Sequence, residues 1–265
     1  MTRIEETFET CRAEGRVALV AYLTAYDPDA EGSFERMSAV CAAGIDILEV
    51  GIPFSDPSAD GPDVQAAMVR ALKAGSTLHG ALELVRRLRA EHDTPIVLFS
   101  YCNPILSQAA GVEVTVQRIK DAGVDALLVV DAPPEYAAIL KTPAANVGLD
   151  WVGLVAPTSH AARRETVCAA ASGFVYAVSL TGVTGASLDT EDDGLRQYLS
   201  ELRAATELPV CVGFGIRTPA QVEALAPLVD GVVVGSALVR AGVDGVAPLE
   251  ELVGSLVDAL KRSST

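Results

Sequence analysis

Residues 48–62 read LEVGIPFSDPSADGP, a short apolar strand that runs into a loop rich in proline and carboxylates. Glu49 stands inside the strand, whereas Asp56 and Asp60 stand in the loop. A carboxylate in an apolar strand is costly to bury as a charge, so the pKa of Glu49 should rise. A second carboxylate in wetter surroundings would stay ionised, and the two would supply an acid and a base. On this segment alone, an edge-strand glutamate that points to water is the alternative for Glu49.

The same strand-then-loop pattern recurs along the whole chain. Short runs rich in β-branched residues alternate with amphipathic segments, and the eight runs are 17–23, 45–50, 95–101, 125–131, 151–156, 174–179, 209–213 and 231–235. Near-continuous apolar strands between helices indicate a parallel sheet covered by helices. Eight such units predict an α/β fold of the (β/α)8 TIM-barrel type, as a single domain over residues 1–265. An open doubly wound sheet is the alternative, but no Gly-x-Gly-x-x-Gly follows the first strand.

Three additions to the plain barrel are expected. Residues 2–14 predict an extra N-terminal helix that could close the bottom of the barrel. The extended connection after the second strand predicts two helices, at 63–74 and 77–91. The loop after the sixth strand, 181–194, is also extended. Long loops at the carboxyl ends of barrel strands commonly carry lids and catalytic groups.

Composition excludes several classes of protein. A net charge of -15, from 20 basic and 35 acidic residues, argues against a nucleic-acid or anionic-membrane surface. The five cysteines are odd in number and contain no Cys-x-x-Cys pair, which predicts free thiols in a reducing compartment. No secretory signal is seen, and no apolar run approaches the roughly 20 residues of a membrane span. We therefore expect a cytoplasmic protein.

A phosphate site is expected in the last third of the chain. Glycine-rich turns follow the sixth, seventh and eighth strands, at 181–185, 213–216 and 235–237. Glycine lets backbone N–H groups converge on an anion, and barrels of this type commonly bind phosphate at the last strands. Neutral N–H groups would serve here in place of Lys and Arg. Any one of these glycines could instead mark only a tight turn.

Other candidate residues are less decisive. The three histidines show no ligand spacing and are expected at the surface, so no metal site is predicted. Tyr176 in the sixth strand fits either the core or a site where it hydrogen-bonds a ligand. Asp131 at the end of the fourth strand fits either a capping role or a site role.

The segment 49–62 resembles the signature of the tryptophan synthase α subunit family. The resemblance spans essentially the whole chain, through the segments AYLT (21–24), YCNPI (101–105), LVAPT (154–158), SLTGVTG (179–185), GFGI (213–216) and GSA (235–237). It implies a lyase of tryptophan biosynthesis that cleaves indole-3-glycerol phosphate to indole and glyceraldehyde 3-phosphate by acid/base retro-aldol chemistry. No cofactor is expected in this chain.

The resemblance also assigns roles to individual residues. Glu49 and Asp60 would be catalytic, with Glu49 moving protons at the indole carbon and the glycerol hydroxyl and Asp60 holding the indole nitrogen. Tyr22, Tyr176 and Thr184 would bind substrate, and Thr184 would reach Asp60 when its loop closes. The phosphate would lie against Gly185, Gly215, Gly235 and Ser236.

The family's partner is a pyridoxal-phosphate β subunit in an α2β2 heterotetramer, and the cofactor belongs to that partner. By resemblance, Pro53 and Asp56 lie at the contact with it. Two residues depart from the usual pattern. Tyr26 stands where glycine is common, so either the first loop turns differently or the pocket is narrower. Ser187 replaces a polar or charged residue, so the contacts of the closed lid are not predicted. A stand-alone lyase that releases free indole and a catalytically silent regulatory subunit are the alternatives.

Overall fold

Parallel strands made almost wholly of buried apolar residues form the centre of the molecule. A computed structural model describes residues 1–179, 190, 192–213 and 215–262. Within that part of the chain the strands are β1 (Ala18–Thr24), β2 (Ile47–Gly51), β3 (Ile96–Ser100), β4 (Ala126–Val129), β5 (Asp150–Trp151), β6 (Gly153–Val155), β7 (Val175–Val178), β8 (Val210–Gly213) and β9 (Gly231–Val234). Every residue of β1 to β4 is buried, because helices cover the outside of the sheet and side chains from the other strands fill its inside.

The nine described strands form one nearly closed barrel. Their hydrogen-bonded order is β5-β4-β3-β2-β1-β9-β8-β7-β6, with every neighbouring pair parallel. The two ends of this order are consecutive in the chain, since only Val152 separates β5 from β6. The predicted fifth strand is therefore present as these two pieces. The (β/α)8 prediction is confirmed.

Helices surround the barrel. In the described residues they are α1 (Arg3–Ala13), α2 (Ala30–Ala42), α3 (Pro62–Lys73), α4 (Leu78–Glu91), α5 (Cys102–Leu106), α6 (Val112–Asp121), α7 (Pro134–Asn146), α8 (Ala161–Ala170), α9 (Asp193–Ala204), α10 (Pro219–Leu225), α11 (Ser236–Val243) and α12 (Val246–Arg262), with a 3-10 turn at Ala226–Leu228. Within this part of the chain, no helix is both long enough and apolar enough to span a bilayer.

The two helices predicted after the second strand are present as α3 and α4. Gly75 follows α3 with a φ of 83°, a conformation that glycine adopts without strain. Thr77 then caps α4, because its side chain accepts a hydrogen bond from the N–H of Gly80 at 3.0 Å. The extended loop after the predicted sixth strand lies mostly outside the described residues.

The predicted N-terminal helix closes the bottom of the barrel as α1. Its buried side chains are Ile4, Phe8 and Cys11. The ring of Phe8 lies 5.9 Å from that of Phe174, which immediately precedes β7. The helix therefore covers the amino ends of the strands and leaves the carboxyl ends open.

A repeated aspartate joins neighbouring strands at this closed end. Each of these aspartates immediately precedes a strand and accepts a hydrogen bond from a backbone N–H of the adjacent strand; the bonds run from Leu19 to Asp46 (2.8 Å), from Ile96 to Asp125 (2.8 Å) and from Val210 to Asp230 (2.9 Å). An arginine lies beside each carboxylate, in the pairs Arg16–Asp46, Arg89–Asp125 and Arg203–Asp230. These bonds fix strand register far from the open end.

Replacing one of these aspartates should reduce stability without changing any chemistry at the open end. In Asp125→Ala the N–H of Ile96 loses its acceptor. The mostly buried guanidinium of Arg89 loses its carboxylate partner and keeps only backbone carbonyl acceptors. We expect the free energy of unfolding to fall by about 2–4 kcal/mol, measured by urea denaturation. Asp121→Ala, at an exposed position of α6, is the control. Equal stability of the two variants would contradict the role given to Asp125.

Candidate functional site

A cavity opens at the carboxyl ends of the strands, opposite α1. Its volume is about 560 Å³ including the open mouth. Barrels of this type place their active sites at this end. The cavity brings together seven of the residues singled out from the sequence: Tyr22, Glu49, Asp60, Tyr176, Gly215, Gly235 and Ser236.

Glu49 is the central residue of β2 and projects into the cavity. Because side chains alternate across a strand, its neighbours Leu48 and Val50 face the surrounding helices instead. Glu49 is only 1% exposed, and its Oε1 atom has no hydrogen-bond partner among the described residues. Burial raises the pKa of the carboxyl group to about 8. Glu49 is therefore buried, not turned to water, and is largely protonated at neutral pH.

Asp60 lies in the loop after β2, one residue before the cap of α3. The expectation of wetter surroundings is wrong for this residue, because the loop folds back over the barrel and leaves Asp60 8% exposed. Burial raises the pKa of Asp60 to about 6, while a hydrogen bond from Tyr101 Oη, at 2.6 Å, acts in the opposite direction. Asp60 remains the more acidic of the two carboxyl groups, since its ordinary pKa is lower, it is slightly less enclosed and it has this donor.

Two tyrosines complete the inner wall. Tyr22 pairs in register with Glu49 across β1 and β2. The centroids of the Tyr22 and Phe99 rings lie 5.1 Å apart in an edge-to-face arrangement. Tyr176 on β7 is buried and lines the same cavity. Its hydrogen bond to a ligand stays a prediction.

Each phenol occupies the space above a glycine of the adjacent strand. A β-carbon at Gly51 would lie 2.2 Å from Tyr22 Oη, and one at Gly213 would lie 2.0 Å from Tyr176 Oη. Real β-carbons do not approach other atoms so closely, so both glycines are needed for the tyrosines to point inward.

The turns after β8 and β9 form the glycine-rich part of the cavity. Gly215 has a φ of 79°, which favours glycine. Gly235 precedes α11, and Ser236 is its first residue. The first N–H groups of a helix lack intrahelical partners and sit at the positive end of its dipole, so this end suits an anion. Thr184 and Gly185 lie outside the described residues.

Arg217 is a residue of the cavity that the sequence reasoning missed. It lines the wall beside Gly215, and its backbone N–H donates to Gln221 Oε1 at 2.8 Å. The expectation that neutral N–H groups serve in place of Lys and Arg stays a prediction, but a basic residue lies in the same wall. The available signal was a basic residue directly after the 213–216 turn.

Three other expectations concern residues near the cavity. Asp131 has the capping role, since its Oδ1 accepts from the N–H of Cys102 at the start of α5, at 2.7 Å. Pro53 is buried and Asp56 exposed in the loop that also carries Asp60, and neither lines the cavity. No cluster of three or more His, Cys, Asp or Glu side chains suited to a metal ion occurs among the described residues.

Tyr26 does not narrow the cavity. Its φ is 64°, and its side chain turns towards α4, where a β-carbon at Gly80 would lie 2.2 Å from Tyr26 Oη. Of the two alternatives for this residue, the structure favours a differently turned loop over a narrower pocket, because the space left by Gly80 takes the ring away from the cavity. The second departure, Ser187, lies outside the described residues.

Comparison with known proteins decides the family. A family model described as "Tryptophan synthase alpha chain" matches residues 8–254. The chain belongs to the tryptophan synthase alpha chain family. The family resemblance seen in the sequence is confirmed, together with the lyase function in tryptophan biosynthesis that it implies. The subunit role is favoured over a stand-alone lyase and over a silent regulatory subunit.

Individual relatives agree over almost their full lengths. The tryptophan synthase alpha chain of Halorhodospira halophila is 49% identical over 266 residues, which cover 99% of this chain and 96% of that protein. That of Gluconacetobacter diazotrophicus is 51% identical over 240 residues, covering 90% and 86%. A chain in a structure of Mycobacterium tuberculosis tryptophan synthase superposes with a TM-score of 0.91 at 35% identity, covering 98% of each chain.

The buried Glu49 should make stability depend on pH in a defined direction. Its pKa is raised from 4.5 to about 8 on folding, so folding becomes less favourable as pH rises between these values. Glu49→Gln removes this titration. We therefore compare the free energy of unfolding of Glu49→Gln with that of wild type by chemical denaturation. The difference should change in favour of the variant by roughly 3–5 kcal/mol as pH rises from about 5 to about 9.

The control for this measurement is Glu9→Gln, at an exposed position of α1. Its stability should follow that of wild type at every pH. If Glu49→Gln does the same, the Glu49 carboxyl group is not desolvated as described.

Proposed function

We propose that Glu49 and Asp60 are the groups of this chain that cleave indole-3-glycerol phosphate. The observation that carries the proposal is that two buried carboxyl groups of different acidity line one cavity with glycine-rich turns suited to an anion. A phosphate ester with an indole at its other end has the chemical features that such a cavity would recognise.

Glu49 would act first as an acid and then as a base. In its protonated form it gives a proton to C3 of the indole, which converts the ring to a cationic indolenine. The resulting carboxylate takes the proton from the adjacent glycerol hydroxyl. The O–H electrons then form the aldehyde, and the electrons of the broken carbon–carbon bond restore the indole. Glu49 ends protonated, so proton balance is kept. A pKa near neutrality suits a group that must both give and take a proton.

Asp60 would stabilise the charge that appears on the indole nitrogen. When C3 is protonated, the N–H becomes more acidic, and a carboxylate that accepts from it offsets the positive charge. The lower pKa of Asp60, about 6, supports its ionised form at neutral pH. Tyr22 and Tyr176 would pack against the indole and the glycerol chain.

The phosphate would bind at Gly215, Gly235 and Ser236. Backbone N–H groups and the start of α11 offer donors there, and Arg217 adds a cation to a chain with a net charge of -15. A local device of this kind is needed because the protein's overall charge repels anions at long range. Thr184 and Gly185 belong to the same proposal.

The partner would be a β subunit that carries pyridoxal phosphate, in an α2β2 assembly. By the family resemblance, Pro53 and Asp56 would lie at this contact; Asp56 is exposed on the loop that also bears Asp60. No cofactor is proposed for this chain, since its own carboxyl groups supply the acid and the base. We also infer a cytoplasmic location, supported by five cysteines, all within the described residues, that are unpaired.

Glu49→Gln should abolish release of indole while binding of the phosphate ester persists. The amide has nearly the shape of the acid but neither gives nor takes a proton at neutral pH. Indole release is measured by a colorimetric assay and binding by calorimetry, with and without a β subunit. Near-normal turnover in this variant would remove Glu49 from the mechanism.

Gly235→Asp should raise the KM for indole-3-glycerol phosphate by about tenfold or more. The nearest atoms to a β-carbon at this position are Cβ, Cδ1 and Cγ of Tyr22, at 3.4, 3.6 and 3.7 Å. These are ordinary contact distances, so the main change is charge against phosphate. Gly235→Asn, of equal size but neutral, is the control and should have a much smaller effect. Equal KM values for the two variants would argue against phosphate at this turn.

A further inference from the structure

Tyr101 lies directly after β3, outside the wall of the cavity. Its hydroxyl donates to Asp60 Oδ2 at 2.6 Å and accepts from the N–H of Ala59 at 3.0 Å. The residue is only 2% exposed and does not line the cavity. One phenol therefore bonds two consecutive residues of the loop that carries a catalytic carboxylate.

The backbone of Asp60 and its side chain are held by different groups. Gln65 Nε2 donates to the carbonyl of Asp60 at 2.7 Å, and the N–H of Asp60 donates to the carbonyl of Pro57 at 3.1 Å. For the carboxylate itself, the bond from Tyr101 is the one that the described residues provide. The direction of the carboxylate therefore depends on Tyr101.

The ring of Tyr101 is itself fixed by packing. Phe54, from the same loop, lies against it with ring centroids 5.0 Å apart and an interplanar angle of 32°. A buried ring with a neighbour at this distance has a defined orientation, so its hydroxyl presents a donor at one place.

We propose that Tyr101 is a positioning residue that keeps the Asp60 carboxylate ionised and turned towards the indole nitrogen, without touching the substrate. This inference rests on the proposed function, in which Asp60 accepts a hydrogen bond from the indole N–H. A hydrogen bond to a charged acceptor in a buried site is stronger than one between neutral groups, so its loss is felt in the reaction.

The charge state of Asp60 depends on several groups. Tyr101, after β3, bonds it directly, and the titratable or charged groups that line the same cavity from the surrounding elements are Glu49 on β2, Tyr22 on β1, Tyr176 on β7 and Arg217 after β8. Burial raises the pKa of Asp60, and the O–H of Tyr101 lowers it. Without that O–H, the pKa of Asp60 rises and less of the carboxylate is ionised at neutral pH.

Tyr101→Phe is the first test, made on the full chain with and without a β subunit. We expect kcat to fall about tenfold to a hundredfold, with KM changed less than about threefold. The acidic limb of the kcat–pH profile should move up by about one pH unit. A merely structural tyrosine would not move that limb.

Tyr198→Phe is the matched control. Tyr198 on α9 is also buried, and its hydroxyl donates to the carbonyl of Val155 at 2.8 Å, outside the catalytic cavity. The two variants should lose similar stability in thermal unfolding. Only Tyr101→Phe should alter kcat and its pH dependence.

Site-specific incorporation of 3-fluorotyrosine at position 101 keeps the test valid if the phenylalanine variant folds poorly. Fluorine makes the phenol a stronger donor, so the acidic limb should move to lower pH, opposite to the shift in Tyr101→Phe. An unmoved limb in the fluorinated protein, or unchanged kcat and limb in Tyr101→Phe, would overturn the inference.

Asp60→Asn separates this inference from the function on which it rests. Near-normal turnover in Asp60→Asn would remove Asp60 from the mechanism, whatever Tyr101 does. Lost turnover in Asp60→Asn, together with unaltered kinetics in Tyr101→Phe, would leave the proposed function intact and reject only the positioning role.

Discussion

The desolvation of the Glu49 carboxyl group is the constraint on which the rest of the site depends. Strand β2 places this acid inside a barrel whose other inner residues are almost all apolar or aromatic, and Oε1 has no partner among the described residues. Such a position favours the protonated acid at the expense of folding stability. The buried strands and the aspartates that join neighbouring strands at the opposite end provide the stability that offsets this cost. Chemistry and structural support are thus separated along the barrel axis.

Asp60 differs from Glu49 in three ways that all make it the more acidic group. Its ordinary pKa is lower, 3.8 against 4.5, and it is slightly less enclosed, 8% exposed against 1%. It also has a phenol donor that stabilises its charged form, whereas burial alone acts on Glu49. Two acids in one cavity can thus take different roles through their surroundings.

The sequence predicts the features that depend on local patterns. Runs of β-branched residues predict the strands. Gly75 and Thr77 mark the break between α3 and α4, because a left-handed residue and a helix cap each depend only on residues close by in the chain. Burial of Asp60 could not be predicted, since it depends on how its loop folds back over distant strands. Arg217 was missed because net charge was used as an argument about the site, although net charge averages over the whole surface. The direction of Tyr26 depends on Gly80, 54 positions away in the chain.

The glycines beneath the inward tyrosines constrain how this barrel can evolve. Tyr22 with Gly51, and Tyr176 with Gly213, each share one volume across neighbouring strands. Even a methyl group at either glycine would overlap the phenol, so the tyrosine must be replaced or moved before the glycine can be substituted. A lineage that exchanges either pair must pass through an ancestor with a reshaped pocket. We therefore expect these four positions to change as two linked pairs, and each pair to be kept for as long as its phenol lines the cavity.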